Sequence, residues 1–238
     1  MIGFYDYTVI LTYLSILSGT AGVIVCLNGI GHPYIGMFFL LFSGLCDTFD
    51  GKVARSKKNR TDEMKKFGIQ IDSLADLIAF GVLPACIGIA MFRCNLEYTD
   101  TSEVTVFLMR RSTAYQVGLT VIAIFYVLAA MIRLAYFNVM EECGKNKDES
   151  GQKIYLGLPV TSAALIFPAV LVAHVFVAAD LTLLYFGVMI VVGFLFLSKI
   201  RIKKPTNKQI TLMIAIGAAE CIGLAVILMF LKNGGARI

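Results

Sequence analysis

Apolar runs separated by short polar connections fill this chain, and most are about as long as the roughly 20 residues a helix needs to cross a bilayer. The first predicted helix extends from Thr8 to Ile30 and ends at the tight turn Gly31-His32-Pro33. A second runs from Pro33 to about Ser56, a third from Ile69 to Met91, and a fourth from Ala114 to Met140. A fifth is expected over Leu156 to Ala178, joined through Ala179-Asp180 to a sixth over Leu181 to Ser198, with a seventh over Ile210 to Leu231. Residues 93 to 112 are polar and read as an external loop with room for a short interfacial helix. No internal repeat is present, so the inverted-repeat construction of secondary transporters has no support.

The polar connections differ in charge, and this sets the orientation. KKNRTDEMKKF, residues 57 to 67, holds Lys57, Lys58, Arg60, Lys65 and Lys66 against two acids, and KIRIKKPTNK after the sixth helix is basic with no acid. With the hydrophilic segment 141 to 155, these loops are expected on the cytoplasmic side by the positive-inside rule. The expectation is therefore an all-α, polytopic transmembrane helical bundle of seven spans, N-terminus inside and C-terminus outside, forming one integral-membrane domain over 1–238. Composition agrees, because the chain is 58% apolar and 16% charged, against about 25% charged in soluble domains. The net charge of +5 would suggest nucleic acid in a soluble protein; here it is read as a topology signal, and no nucleic-acid partner is expected. The N-terminus shows no basic leader or A-x-A site, so the first run is expected to remain as a helix. Cys26, Cys46, Cys86, Cys94, Cys143 and Cys221 form no CxxC or Cys/His pairing and read as small apolar residues.

Against this apolar background, the stretch from Asp47 to Asp76 stands out. Charged side chains in hydrocarbon cost roughly 2.5–3.5 kcal/mol on insertion scales, so acids there call for a function. On a helix, Asp47, Asp50, Gly51, Ala54 and Arg55 share one face, and Gly68, Asp72 and Asp76 share another on the next helix. Asp47 falls ~21 Å along the second helix, well past the middle of a ~30 Å core. Both acidic faces therefore meet at one end of the bundle. Converging aspartates without Cys or His suit a hard divalent cation, Mg2+ or Mn2+, and so much negative charge suits a pair of ions. Two other readings remain: a structural network of the acids with Arg55 and nearby lysines, and a cation pathway, which would stagger acids through the bilayer rather than gather them at one level.

The patterns DxxDGxxAR at 47–55 and GxxxDxxxD at 68–76 resemble the signature of the CDP-alcohol phosphotransferase family, integral-membrane enzymes of phospholipid head-group synthesis. The resemblance implies a six-helix family core, here with about one extra span, and a homodimer. It implies metal ligation by Asp47, Asp50, Asp72 and Asp76, with Asp76 as general base, and it places Gly51, Ala54, Arg55, Gly68 and Thr12 beside the CDP group. DSLADLIAFGVLPA at 72–85, RLAYFN at 133–138 and GLPVTSAA at 157–164 resemble the phosphatidylserine synthase branch, implying CDP-diacylglycerol and L-serine as substrates. Ser73 stands where the phosphatidylglycerophosphate and cardiolipin synthase branches usually carry proline, and Leu77 where they usually carry lysine. Two positions depart from the pattern: twelve residues separate Arg55 from Gly68, more than the commonest spacing, and Val9 stands where serine synthases often carry asparagine.

Serine would bring a carboxylate, for which a buried arginine is the natural partner. Arg133 is the candidate, with Asn138 beside it; the alternative is an arginine that snorkels to anchor the helix end. Lys203 and Lys204 suit attraction of anionic lipid head groups. His32 and His174 stand alone and are not read as ligands. Other acceptors, such as glycerol 3-phosphate or inositol, and an archaeal ether lipid stay open.

Overall fold

The computed structural model describes residues 3–28, 33–98, 112–144, 154–173, 181–203 and 206–232. A short 3-10 turn, Tyr7–Val9, leads into α1 (Ile10–Asn28) and is followed by α2 (Tyr34–Ser56). Next, α3 (Asp62–Asp76), a π-helical segment (Leu77–Val82) and α4 (Leu83–Tyr98) form one unbroken rod. The chain continues through α5 (Thr113–Glu142), strand β1 (Ile154–Leu156), a 3-10 turn (Val160–Ser162) and α6 (Ala163–Ala173). It ends with α7 (Thr182–Leu197), strand β2 (Arg201–Lys203) and α8 (Asn207–Lys232). The described residues thus hold seven helical rods in an all-α polytopic bundle. Tyr7–Asn28, Asp62–Cys94, Thr113–Glu142 and Lys208–Val226 are each long and apolar enough to cross a membrane, whereas Val160–Ala173 and Thr182–Leu197 are shorter apolar helices. The length of α2 also suffices, but its second half carries the charged motif.

Three boundaries differ from expectation. The third rod begins seven residues before Ile69, because the Thr61 hydroxyl accepts the Met64 N–H at 3.2 Å. Asp62 and Glu63 occupy its first turn, where negative charge is favoured by the helix dipole. The same rod runs on past Met91 to Tyr98, so the polar loop expected from residue 93 starts later; its remainder, 99–111, lies outside the described residues, as do Ala179-Asp180, His32, His174 and Lys204. Finally, Leu156 to Pro159 are not helical, and the helix begins only with the 3-10 turn at Val160. β1 pairs antiparallel with β2, Ile154 opposite Lys203 and Leu156 opposite Arg201. Gly157 then turns the chain at φ +76°, in a space where a Cβ would meet the Phe196 carbonyl oxygen at 2.7 Å. Pro159 follows without an N–H to continue either element.

The core is built around the π segment, which begins directly after the last aspartate, Asp76. Pro84 has no N–H, so the α-helical bond to the Phe80 carbonyl cannot form, and the Leu83 N–H reaches five residues back to Ile78. The wide turn that results leaves Phe80 O available, and the buried Tyr126 of α5 donates its hydroxyl to it at 2.7 Å. Tyr185 of α7 donates in turn to Pro84 O at 2.9 Å. Both tyrosines are completely buried. They lock α5 and α7 onto the acid-bearing rod, while Gly19 of α1 lets the opposite side approach so closely that a Cβ would lie 3.0 Å from the Ala79 Cα. Three of the cysteines (Cys86, Cys94 and Cys221) are half-buried, Cys26 and Cys46 are buried, and all six are free thiols. Cys143 is exposed, contrary to the small apolar role expected of it.

Candidate active site

α2 and α3 bring their acidic faces together. Carboxylate oxygens of Asp47, Asp50 and Asp72 lie within 4.8 Å of one another, and all three residues are half-buried. The Asp50 and Asp72 carboxyl groups are in hydrogen-bond contact, and the buried Thr12 of α1 donates its hydroxyl to Asp50. Three oxygens this close nearly match the ~4.2 Å between opposite ligands of Mg2+ at ~2.1 Å. The donor set is all oxygen, so it fits a hard divalent cation. Asp76 is not one of the three converging groups. It lies one turn deeper on α3 and is buried, within electrostatic range of Asp47, Asp72, Asp50 and, from α5, Arg133.

The other expected residues fall into two groups. Gly51 and Ala54 follow the acids on α2, and Arg55 folds back so that a Cβ on Gly51 would meet its Nη1 at 3.1 Å. Arg55 also attracts Asp50. Gly68 sits one turn before Asp72 and is covered in the same way, but by Arg60, whose Nη2 would lie 2.6 Å from a Cβ there. Thr12 belongs with the acids, since its contact is with Asp50. On α5, Arg133 is buried and its guanidinium stands 5.0 Å from the Phe137 ring centroid. Asn138 reaches α3, where its side-chain amide donates to the Ser73 hydroxyl at 2.8 Å, next to Asp72.

Two features escaped the sequence reading. In the sequence Arg60 is one loop charge among several, and nothing in a run of Lys and Arg distinguishes it. The N-terminal segment also reaches the site: Asp6 pairs with Lys57 at 2.8 Å, the Phe4 and Phe67 rings meet edge-on at 5.5 Å, and the Ser56 hydroxyl donates to the Tyr7 hydroxyl at 3.4 Å. Together these contacts strap the connection between α2 and α3. Lys57 and Thr8 hydrogen bonds hold the Asp6 carboxyl down to about 2.

Beside the acids an apolar cavity of about 800 Å³ opens between α1, α2, α6 and α8. Leu17, Phe42, Leu165 and Ile214 line it, and Asp47 and Thr48 lie on its wall. Its volume is within the range of sites that enclose small molecules, and its lining suits hydrocarbon.

Among proteins of known name, a CDP-diacylglycerol–serine O-phosphatidyltransferase from Saccharomyces cerevisiae is 33% identical over 164 residues, covering 65% of this chain and 50% of the relative. One of the same name from Helicobacter pylori is 31% identical over 167 residues, covering 69% and 58%. An archaetidylserine synthase from Methanothermobacter thermautotrophicus is 32% identical over 153 residues, covering 64% and 53%. The chain thus spans about half to three-fifths of the length of these relatives. Residues 8–196 match the model of one family throughout, from the helix that supplies Thr12 to the end of α7. With three of the four acids of its signature gathered at one point, the chain belongs to the CDP-alcohol phosphatidyltransferase family.

Proposed function

We propose that this protein transfers the phosphatidyl group of CDP-diacylglycerol to the hydroxyl of L-serine and releases CMP. The observation that carries this reading is the convergence of Asp47, Asp50 and Asp72 on one point at the wall of an apolar cavity. A lipid with a diphosphate head needs both, side by side. In this reading the acyl chains occupy the cavity and the CDP head lies across Gly51, Ala54, Arg55 and Gly68. Asp47, Asp50 and Asp72 would hold a divalent cation, with Asp76 completing a site for two, and Thr12 would keep Asp50 turned inward. When bound, such ions neutralise the charge of the diphosphate.

Asp76 takes the proton from the serine hydroxyl as that oxygen attacks the phosphorus bearing diacylglycerol. A new P–O bond to serine forms while the bond to the CMP phosphate breaks. Arg133, within electrostatic range of Asp76, pairs its guanidinium fork with the serine carboxylate. Asn138, through Ser73, holds α5 against α3 at the mouth of the serine site. The names of the relatives support serine as acceptor. The acid-bearing end faces the cytoplasm in this reading, because the basic residues around 57–61 lie there and β1–β2 pairing brings two further connections to one another. Family resemblance supports a homodimer in the cell membrane.

The test is CMP release by the reconstituted protein from CDP-diacylglycerol, with Mg2+ or Mn2+ added and each acceptor offered separately. Serine-dependent release is expected; release with glycerol 3-phosphate or inositol but not serine would overturn the acceptor. Substituting Asp76→Asn should abolish release while leaving CMP binding largely intact, and retained turnover would remove Asp76 as the base.

A further inference from the structure

The geometry points to Arg60 as a nucleotide-binding residue, one that donates its Nε–H to an oxygen of the cytidine diphosphate head; this rests on the functional reading above. The guanidinium is anchored at its two ends by backbone. Nη1 donates to Ala54 O at 3.5 Å, on α2, and Nη2 donates to Met64 O at 3.1 Å, on α3. The group therefore spans the two helices that carry the acids. Its Nε–H is buried and has no hydrogen-bond partner among the described residues, an arrangement that costs free energy unless an acceptor arrives. Arg60 takes no part in the ion pairs of the described residues, which join Lys57 to Asp6 and Lys65 to Asp62.

Position specifies the acceptor. Gly68, under Arg60, is one helical turn from Asp72, and Gly51, under Arg55, adjoins Asp50. Two guanidinium groups thus lie over the acid-bearing faces, Arg55 from α2 over Gly51 and Arg60 from the α2–α3 connection over Gly68, each glycine's missing side chain leaving room beside it. Cations arranged around a metal-type acid cluster fit a ligand whose several negative charges reach beyond the metal, which is the character of a nucleoside diphosphate. Arginine suits the role through its planar, directional donors. Holding Arg60 in place by two backbone carbonyls reduces the ordering cost on binding.

The experiment compares wild type with Arg60→Gln and Arg60→Lys in CMP-release kinetics, using CMP itself as a competing inhibitor. Arg60→Gln is expected to raise both the KM for CDP-diacylglycerol and the inhibition constant of CMP by about tenfold or more, the loss of one charge-assisted hydrogen bond. The KM for serine should stay within about twofold of wild type, at the scale where no hydrogen bond is lost. Arg60→Lys should recover little, since lysine keeps the charge but not the Nε–H edge. Thr61→Ala provides the structural control, because it removes the α3 cap without touching a ligand. It should lower the melting temperature and leave the CMP constant unchanged. If Thr61→Ala weakens CMP as much as Arg60→Gln does, or if Arg60→Gln lowers only the melting temperature, Arg60 is a helix staple and the assignment falls. A wild-type protein that neither binds nor releases CMP would overturn the functional reading itself, and this one with it.

Discussion

Replacing Tyr126 by Phe removes one oxygen from a completely buried side chain and leaves the ring in place. The consequence lies at Phe80, whose carbonyl accepts the Tyr126 hydroxyl at 2.7 Å and has no α-helical partner because residue 84 is proline. A buried carbonyl left without a partner costs about 1–3 kcal/mol, and about 2–4 °C of melting temperature accompanies each kcal/mol in a chain of this size. Tyr126→Phe should therefore melt several degrees lower. The protein contains no tryptophan, so unfolding is best followed with a thiol-reactive dye: Cys26 and Cys46 are buried and report opening, while exposed Cys143 sets the starting signal. The decisive comparison uses Pro84→Ala, which restores an N–H able to bond Phe80 O and keeps the carbonyl that accepts from Tyr185. In that background, Tyr126→Phe should cost at least ~1 kcal/mol less than in wild type, a coupling of the size expected for one network. Additive losses would refute the claim that Tyr126 replaces the bond that Pro84 cannot make.

Other predictions concern groups around the site. Thr12→Val removes the hydroxyl on Asp50 and should raise the divalent-ion concentration for half-maximal CMP release about tenfold or more, the usual scale for partners of metal ligands; an unchanged titration would show Thr12 to be mere packing. The Asp6 carboxyl is depressed by its Lys57 and Thr8 hydrogen bonds, so its contribution to stability is fully present above the ordinary carboxylate range near ~3.9. That contribution disappears as pH falls toward about 2. The melting-temperature gap between wild type and Asp6→Asn should accordingly narrow from pH ~5 to pH ~2, and a gap constant with pH would exclude the ion pair. Glu220 of α8 is 8% exposed and its Oε2 has no hydrogen-bond partner among the described residues. Glu220→Leu should stabilise the protein by about 1 kcal/mol or more with CMP release unchanged, as measured by the same dye and assay; lower stability would mean the carboxyl is paired in the membrane.

Helical periodicity is a local property, and it was legible at once. The spacing of Asp47 with Asp50 and of Asp72 with Asp76 places each pair on one face whatever surrounds it, so the acids, their glycines and the family resemblance followed from the linear pattern. The apolar runs likewise set the number of rods, since hydrocarbon demands long helices with internally satisfied backbone. Boundaries were less legible where a capping side chain or a distant strand decides them. Thr61 extends α3 back into the basic loop, and Leu156 joins β1 because Arg201, far along the chain, supplies its partner.

The division is sharpest at the site. Sequence determined which residue types are the candidates for the chemistry and on which helix face each lies. Packing determined that Asp50 touches Asp72 while Asp76 stays a turn deeper within electrostatic range of Arg133, that Asn138 turns to Ser73, and that Arg60 comes to rest over Gly68. These contacts join residues of different elements, and the rotation and approach of the helices are set by Gly19, Pro84 and Tyr126 acting together in the core. No repeat along the chain encodes that agreement, because it exists only once the rods have packed.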